Sequence, residues 1–402
     1  MQKDEYTFID LFAGCGGLSE GFYREGYKAL AHLEIDKTAC MTLATRMKHY
    51  GYSEEIIKKS ILCEDITDKN IIKKLDKVIN EKVNVIIGGP PCQAFSSVGR
   101  AQDPDSMRND PRNYLFESYL KILNHYKPSI FIFENVKGIL TAKPNGVKIF
   151  DIIIKEMRKT YKVSSNIDTI LINSVNYGVP QMRERVILVG IRKDKDLDPE
   201  DVYDLLEKTN YAPGEKSNGL KKYYTVKDAI YDLPKLFPGE GEELVEPYRT
   251  GRNKYLKTIN NKPYNRVLNH VARNHNKQDI ERYKILSKNN WQLKDLEKVR
   301  PDLVHHNPKH FGNRYTVQSY NKPGKTIVAH LYKDGNLFIH PDSSQGRTFT
   351  VREAARIQSF PDDFLFEGCR TEQYKQVGNA VPPLLAQAFA KAIKKALKQL
   401  GE

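Results

Sequence analysis

Four runs of almost uninterrupted apolar and aromatic residues recur through the first 192 positions, and amphipathic stretches separate them. The runs are YTFIDLF (6–12), ALAHLEID (29–36), NVIIGG (84–89) and SIFIFENV (129–136). A strand with one wet face alternates apolar and polar residues. A strand apolar on both sides must be covered on both faces. Runs of this kind, alternating with helices, predict an α/β fold built on a largely parallel sheet with helices on both faces. The stretches between agree. A helical pattern runs from Leu18 to about Tyr27, and Leu115, Tyr119, Ile122 and Leu123 share one helical face. The segment DTILINSVNYGVPQMRERVILVGIRKD (168–194) reads as two strands joined by a loop, an antiparallel edge that makes the sheet mixed.

From about 193 to 346 the periodicity weakens, and Pro, Gly, Asn and charged residues become common. Order returns after 347. TVREAARIQSF (350–360) starts like a helix, with Thr350 as N-cap and Glu353 three residues on, a capping-box pattern. Leu385, Phe389, Ala392, Ile393, Ala396 and Leu400 then form an apolar stripe at helical spacing. That stripe needs a surface to bury against, and the first domain is the expected one. The expected organisation is 1–192 as one domain, 193–346 as a second, smaller and irregular one, and 347–402 returning to the first.

Charge is distributed unevenly. The chain of 402 residues carries 64 Lys+Arg and 50 Asp+Glu, a net +14. Residues 193–248 hold 8 basic and 14 acidic side chains, whereas residues 249–346 hold 19 and 7. Clustered positive charge points to a polyanion such as nucleic acid, although a solvated lysine-rich face would have the same composition. The N-terminus lacks the basic and apolar regions of a secretory signal, and no apolar run approaches the roughly 18 residues that span a bilayer. The five cysteines, at 15, 40, 63, 92 and 369, show neither zinc-knuckle nor CxxC spacing. A reducing cytoplasm is expected, with no metal site and no membrane partner.

Several local patterns carry chemistry. Asp10-Leu-Phe-Ala-Gly14-Cys-Gly16-Gly17 is a glycine-rich turn between a strand and a helix, where backbone can approach a ligand closely. Glu34 and Asp36 end the second strand, where an acidic group can bind ribose hydroxyls. The turn is not G-x-G-x-x-G and holds no basic residue, so a nucleoside without a pyrophosphate suits it better than NAD. A tight turn that serves the fold alone would look the same. Gly88-Gly-Pro90-Pro91-Cys92-Gln93 follows an apolar strand, and the prolines fix the backbone where a thiolate would be presented. A lone cysteine is otherwise a small buried hydrophobe. Glu134, in ENV at the tip of a buried strand, needs a partner: a base edge, an N-cap role or a salt bridge. In Gln181-Met-Arg183-Glu-Arg185, alternation puts three polar groups on one face of a strand, for a base edge or phosphate, or as exposed edge charges.

Taken in order, these segments closely resemble the cytosine-C5 DNA methyltransferase family of bacterial restriction-modification type. The resemblance covers about 1–192 and 347–402. It rests on DLFAGCGG, Glu34, Asp65-Ile66, GGPPCQAFS, Arg112-Asn113 with Leu115-Phe116, ENV, QMRER, REAARIQSFP and QVGNAVP. Cys92 stands where the amino-methylating relatives place an aromatic residue after paired prolines.

The resemblance implies a Rossmann-like methyltransferase sheet that binds S-adenosyl-L-methionine, plus a target-recognition domain over 193–346. It implies a cofactor set of Phe12, Ala13, Gly14, Gly16, Gly17, Glu34, Ile35, Asp65, Ile66, Pro90, Leu115, Asn379 and Ala380. Phe12 would stack on the adenine, Glu34 would hold the ribose, and Asp65 with Ile66 the adenine edge. The catalytic set would be Cys92, Gln93, Glu134, Arg183 and Arg185. In it Cys92 is the nucleophile, Glu134 acts at N3, and Arg185 holds O2 with Arg183 in support. The stretch 93–112 would be a loop that closes over DNA. HHNPKHFGNRY (305–315), KTIVAHLYKDGNLFIHP (325–341), Tyr315, Tyr320 and Tyr332 are candidate DNA-facing parts. The implied protein is a monomeric bacterial enzyme acting on double-stranded DNA, with a cognate restriction endonuclease acting separately. The competing readings are methylation of transfer RNA, DNA binding without catalysis, and an NAD oxidoreductase.

Overall fold

The computed structural model describes residues 5–91, 114–143, 146–248, 251–260, 262, 264–304 and 314–402. The chain divides into two compact units. The first comprises Met1–Tyr177, Glu184–Lys208 and Leu385–Glu402; the second comprises Gly178–Arg183 and Thr209–Leu384.

The first unit is built on an eight-stranded mixed sheet. Its first five strands are β1 (Thr7–Leu11), β2 (Lys28–Glu34), β3 (Ile61–Cys63), β4 (Val85–Gly88) and β5 (Ile130–Val136). They run parallel in the order β3-β2-β1-β4-β5. β1 and β4 are buried along their whole length, as uninterrupted apolar runs require. The long strand Glu184–Arg192 pairs antiparallel with β5. It is antiparallel as expected, but it lies inside the sheet. Tyr161–Val163 and Leu171–Asn173 both pair with its far side and form the edge.

Strand order reverses direction at β1, which has β2 on one side and β4 on the other. In open α/β sheets, ligands bind at the carboxyl ends of strands at such a switch point. Here the carboxyl ends of β1 and β4 are in register, Leu11 beside Gly88. The helix Pro383–Gln399 buries the predicted stripe from Leu385 to Ala396, with Leu400 half-buried just beyond its end, and from Leu385 onward it belongs to this unit. It lies so close to the helix Gly17–Arg24 that a Cβ at Gly21 would stand 2.3 Å from the backbone at Ala386 and Gln387.

The second unit has short two-stranded sheets and many loops. A buried polar hub organises it around the helix Val351–Ile357, whose capping box forms as the sequence predicts: Thr350 N–H donates to Glu353 at 2.8 Å, and Glu353 N–H to the Thr350 hydroxyl at 3.2 Å. Arg347, Arg352 and Arg356 are all fully buried. Buried charge is tolerated only when paired and hydrogen-bonded. Arg347 accordingly pairs with Glu353 at 2.7 Å, Arg356 pairs with Asp362 at 2.7 Å, and Arg352 donates to the carbonyls of Leu268, Pro361 and Phe364. Among the described residues, no helix is long and apolar enough to cross a membrane.

Candidate active site

The glycine turn after β1 and the acidic end of β2 are tied together directly. Glu34 accepts the Gly14 N–H at 2.7 Å through one carboxylate oxygen, and the Ile35 and Asp36 N–H groups at 2.9 Å through the other. Burial pushes the Glu34 carboxyl up, against the opposing pull of these three donors. Phe12, Gly14 and Gly16 all have positive φ, at 60°, 54° and 88°. For Phe12 that conformation is uncommon and costs energy that glycine would not pay. A Cβ at Gly14 would meet none of the described residues within 4 Å, so among them the turn faces open space there. At Gly16 the φ of 88° disfavours any side chain, and a Cβ would also come within 2.8 Å of the Leu43 side-chain tip.

Ile35 extends this surface and is 65% exposed, unusual for an isoleucine at a strand end. The β2–β3 ladder continues into a Glu64 N–H to Glu34 carbonyl bond of 2.9 Å, which carries Asp65 and Ile66 beside Glu34. Ile66 is buried, whereas Asp65 is exposed and accepts from the backbone and hydroxyl of Thr67, both at 2.8 Å. The structure therefore brings Phe12, Ala13, Gly14, Glu34, Ile35, Asp65 and Ile66 to the carboxyl ends of three adjacent strands.

A second cluster stands at the carboxyl ends of β4 and β5. Glu134 pairs with Arg185 Nε at 3.0 Å, the two side chains being 13% and 12% exposed. Burial pulls the Arg185 guanidinium below its usual range, and Glu134 opposes that shift. Among the readings open for Glu134, the salt bridge is observed. Gly89 makes room for it: a Cβ there would lie 2.8 Å from the Glu134 carboxylate. Pro90 is buried, and its carbonyl accepts from the Asn135 side chain at 3.2 Å. Leu115 is half-buried and opens the helix Leu115–Tyr126. Cys92 and Gln93, the stretch 93–112, and most of 305–315 lie outside the described residues.

Gln181 and Arg183 do not share the setting of Arg185. The chain leaves strand conformation at Arg183, so a single alternating strand does not hold all three. Both side chains belong to the second unit and are buried there. Gln181 bonds the Ile327 N–H at 2.6 Å and the Gln358 side chain at 2.8 Å. Arg183 donates to the carbonyls of Ile327 at 2.7 Å and Ala380 at 2.9 Å. Their polar atoms serve the fold. Asn379 is exposed at the end of the helix Arg370–Asn379, and Ala380 is buried as its C-cap, both in the second unit. Tyr315 is a correction: it is 6% exposed in an apolar cluster with Tyr283, Leu286 and Ile339, its ring 4.7 Å from the Arg282 guanidinium, so it is core.

Three residues of these clusters carried no role in the sequence reading. Asn135 fastens Pro90 to β5, and Gly89 clears space for Glu134. Asp10 is 1% exposed and accepts from the Ser19 hydroxyl at 2.5 Å; burial pushes its carboxyl up to about 7. A charge at the centre of the apolar run TFIDL was the signal for it.

The fold is shared with solved methyltransferase structures. A solved structure from an E. coli prophage, described as a DNA modification methyltransferase, superposes with a TM-score of 0.69 at 26% identity, covering 98% of this chain and all of its own. The S. pombe Dnmt2 methyltransferase shares the fold, with a TM-score of 0.54 at 13% identity. The family model for C-5 cytosine-specific DNA methylases matches residues 6–395, and the chain belongs to that family. It is 36% identical to the type II methyltransferase M.Bpa9945I of Bacillus paralicheniformis, over 96% of this chain and 98% of that one. It is also 36% identical to M.DdeI of Desulfomicrobium norvegicum, over 96% and 88%. The protein is a DNA cytosine-5 methyltransferase of the type II restriction-modification kind.

Proposed function

We propose that the enzyme takes its methyl group from S-adenosylmethionine and places it on a cytosine swung out of a short specific DNA sequence, with Cys92 as nucleophile. The observation that carries this reading is the Glu134–Arg185 pair, held beside Gly89 at the end of the strand that leads to Cys92. The residues at the glycine turn fit the cofactor. Gly14 leaves open space, Glu34 offers a fixed carboxylate for ribose hydroxyls, exposed Ile35 offers an apolar face for a purine, and nothing basic demands a pyrophosphate. Bound there, the cofactor supplies an electrophilic methyl group on a sulfonium.

The chain's own residues do the rest. C5 of cytosine is a weak nucleophile. Addition of the Cys92 thiolate to C6 moves electron density towards C5. Glu134 hydrogen-bonds or protonates N3 so that the developing charge is stabilised, and Arg185 holds O2 and keeps Glu134 oriented. Once C5 carries the methyl group, loss of its proton and expulsion of the thiol restore the ring. Attack from the ring face requires the base to leave the stack, at a cost of a few kcal/mol. The basic residues of 249–346, all in the second unit, supply phosphate contacts that offset it. On this reading, 193–346 recognises the target and a separate endonuclease reads the same sequence. The enzyme acts as a monomer in the bacterial cytoplasm.

The test is transfer of tritiated methyl groups from S-adenosylmethionine to duplex DNA and to transfer RNA. Label in cytosine C5 of DNA supports the proposal. Label only in RNA, or none with intact protein, refutes it.

A further inference from the structure

We infer that Cys40 and Cys63 form a thiol modification site that closes to a disulfide under oxidation and weakens cofactor binding at the adjacent Glu34. The inference rests on the proposed cofactor site. Cys63 ends β3 and is the ladder partner of Glu34. Cys40 lies in the first turns of the helix Lys37–His49, which Asp36 caps. The Cys40 thiol donates to the Glu34 carbonyl at 3.7 Å, and the Cys63 thiol to the Ile35 carbonyl at 3.9 Å. The two thiols thus grip consecutive carbonyls of one turn, and each feels the other's charge. Cys63 is exposed and Cys40 is 8% exposed, so one sulfur meets solvent and the other stands behind it. Burial, and then Cys63 itself, push the Cys40 thiol up. That makes the exposed sulfur the one to react first.

The chemistry balances with an organic disulfide as oxidant. The Cys63 thiolate attacks glutathione disulfide, forming a mixed disulfide and releasing one glutathione. The Cys40 thiolate then attacks the Cys63 sulfur and expels the second. Two protein thiols lose two electrons and two protons, and one glutathione disulfide becomes two thiols. The product needs its sulfurs about 2.05 Å apart, closer than any hydrogen-bonded pair. Both thiol donors to the turn are lost at the same time. The turn that loses them is the one whose Ile35 and Asp36 N–H groups orient the Glu34 carboxylate.

The experiment uses the full chain carrying Cys92→Ser, so that the proposed nucleophile cannot react, and measures S-adenosylhomocysteine binding by calorimetry. After glutathione disulfide, peptide mapping should find 40 linked to 63. Affinity should fall about tenfold, the scale of one charge-assisted hydrogen bond, and dithiothreitol should restore it. Further substitution of Cys40→Ser or Cys63→Ser should leave reduced-state binding within about twofold and abolish the redox response. Glutathione held only as a mixed disulfide, no 40–63 link, or a linked protein of unchanged affinity would overturn the inference. Reduced protein that binds no S-adenosylhomocysteine would instead refute the cofactor site itself.

Discussion

Gly89→Ala isolates the positioning of Glu134 with a single methyl group. The position shows no positive φ, so alanine is tolerated by the backbone, and among the described residues the only close contact for the new Cβ is a Glu134 carboxylate oxygen at 2.8 Å. Ordinary contact begins at 3.4 Å. The carboxylate must therefore retreat by about 0.6 Å, just beyond the ~0.5 Å within which catalytic groups need to be held. Retreat is resisted by the 3.0 Å bond to Arg185, itself largely buried. Misplacement by about 1 Å costs roughly a hundredfold in rate, so we expect kcat to fall about tenfold. Single-turnover methyl transfer reads that loss. Calorimetry with S-adenosylhomocysteine should show affinity within about twofold of wild type, and Tm should shift by no more than about 2 °C. A variant with wild-type kcat would refute the placement of Glu134 in the chemistry. A parallel loss of cofactor affinity would show that Gly89 acts through a different site.

Three further outcomes follow from the same geometry. Glu34→Ala removes the acceptor of three backbone N–H groups and should weaken S-adenosylhomocysteine binding at least about tenfold; unchanged binding would remove Glu34 from the cofactor site. Asp10, with its carboxyl pushed up to about 7, favours the protonated form when folded. Its contribution to stability is complete below the unfolded value of about 3.9 and is lost as pH rises through about 7. Asp10→Asn should therefore flatten the fall in Tm between pH 5 and pH 8, and a variant that keeps the wild-type slope would contradict the assignment. DNA affinity should drop at least about a hundredfold between about 50 and 200 mM salt, because residues 249–346 carry 19 basic side chains against 7 acidic; a flat response would exclude phosphate contacts as the main attraction.

The parts of the fold legible in sequence were those where one physical demand dominates. Strands β1, β4 and β5 announced themselves because a doubly covered strand must be apolar throughout. The Thr350–Glu353 cap was readable because both partners lie within one turn. Short β3 was missed: ILC is three residues long and is held in place by pairing with β2 rather than by its own pattern. The placing of Glu184–Arg192 inside the sheet was also hidden, since Tyr161–Val163, which pairs with its far side, gave no strong periodic signal. At the site, Glu34 and Glu134 stood out as charges at the ends of apolar runs. Arg183 and Gln181 did not declare their partners, because Ile327, whose carbonyl accepts from Arg183 and whose N–H donates to Gln181, is more than a hundred residues away in sequence. Tyr315 looked like an aromatic available for contact, and only packing against Tyr283 and Leu286 reveals it as core.

The central claim is that the Cys92 sulfur bonds transiently to the target base. Duplex DNA containing the methylation site, with a fluorine in place of hydrogen at C5 of the target cytosine, blocks the final proton loss and so should trap that bond. Incubated with the enzyme and S-adenosylmethionine, it should give a complex that survives denaturing electrophoresis, with mass spectrometry placing the DNA on Cys92. A protein that methylates ordinary DNA yet forms no such complex, or is linked through another side chain, would contradict the account.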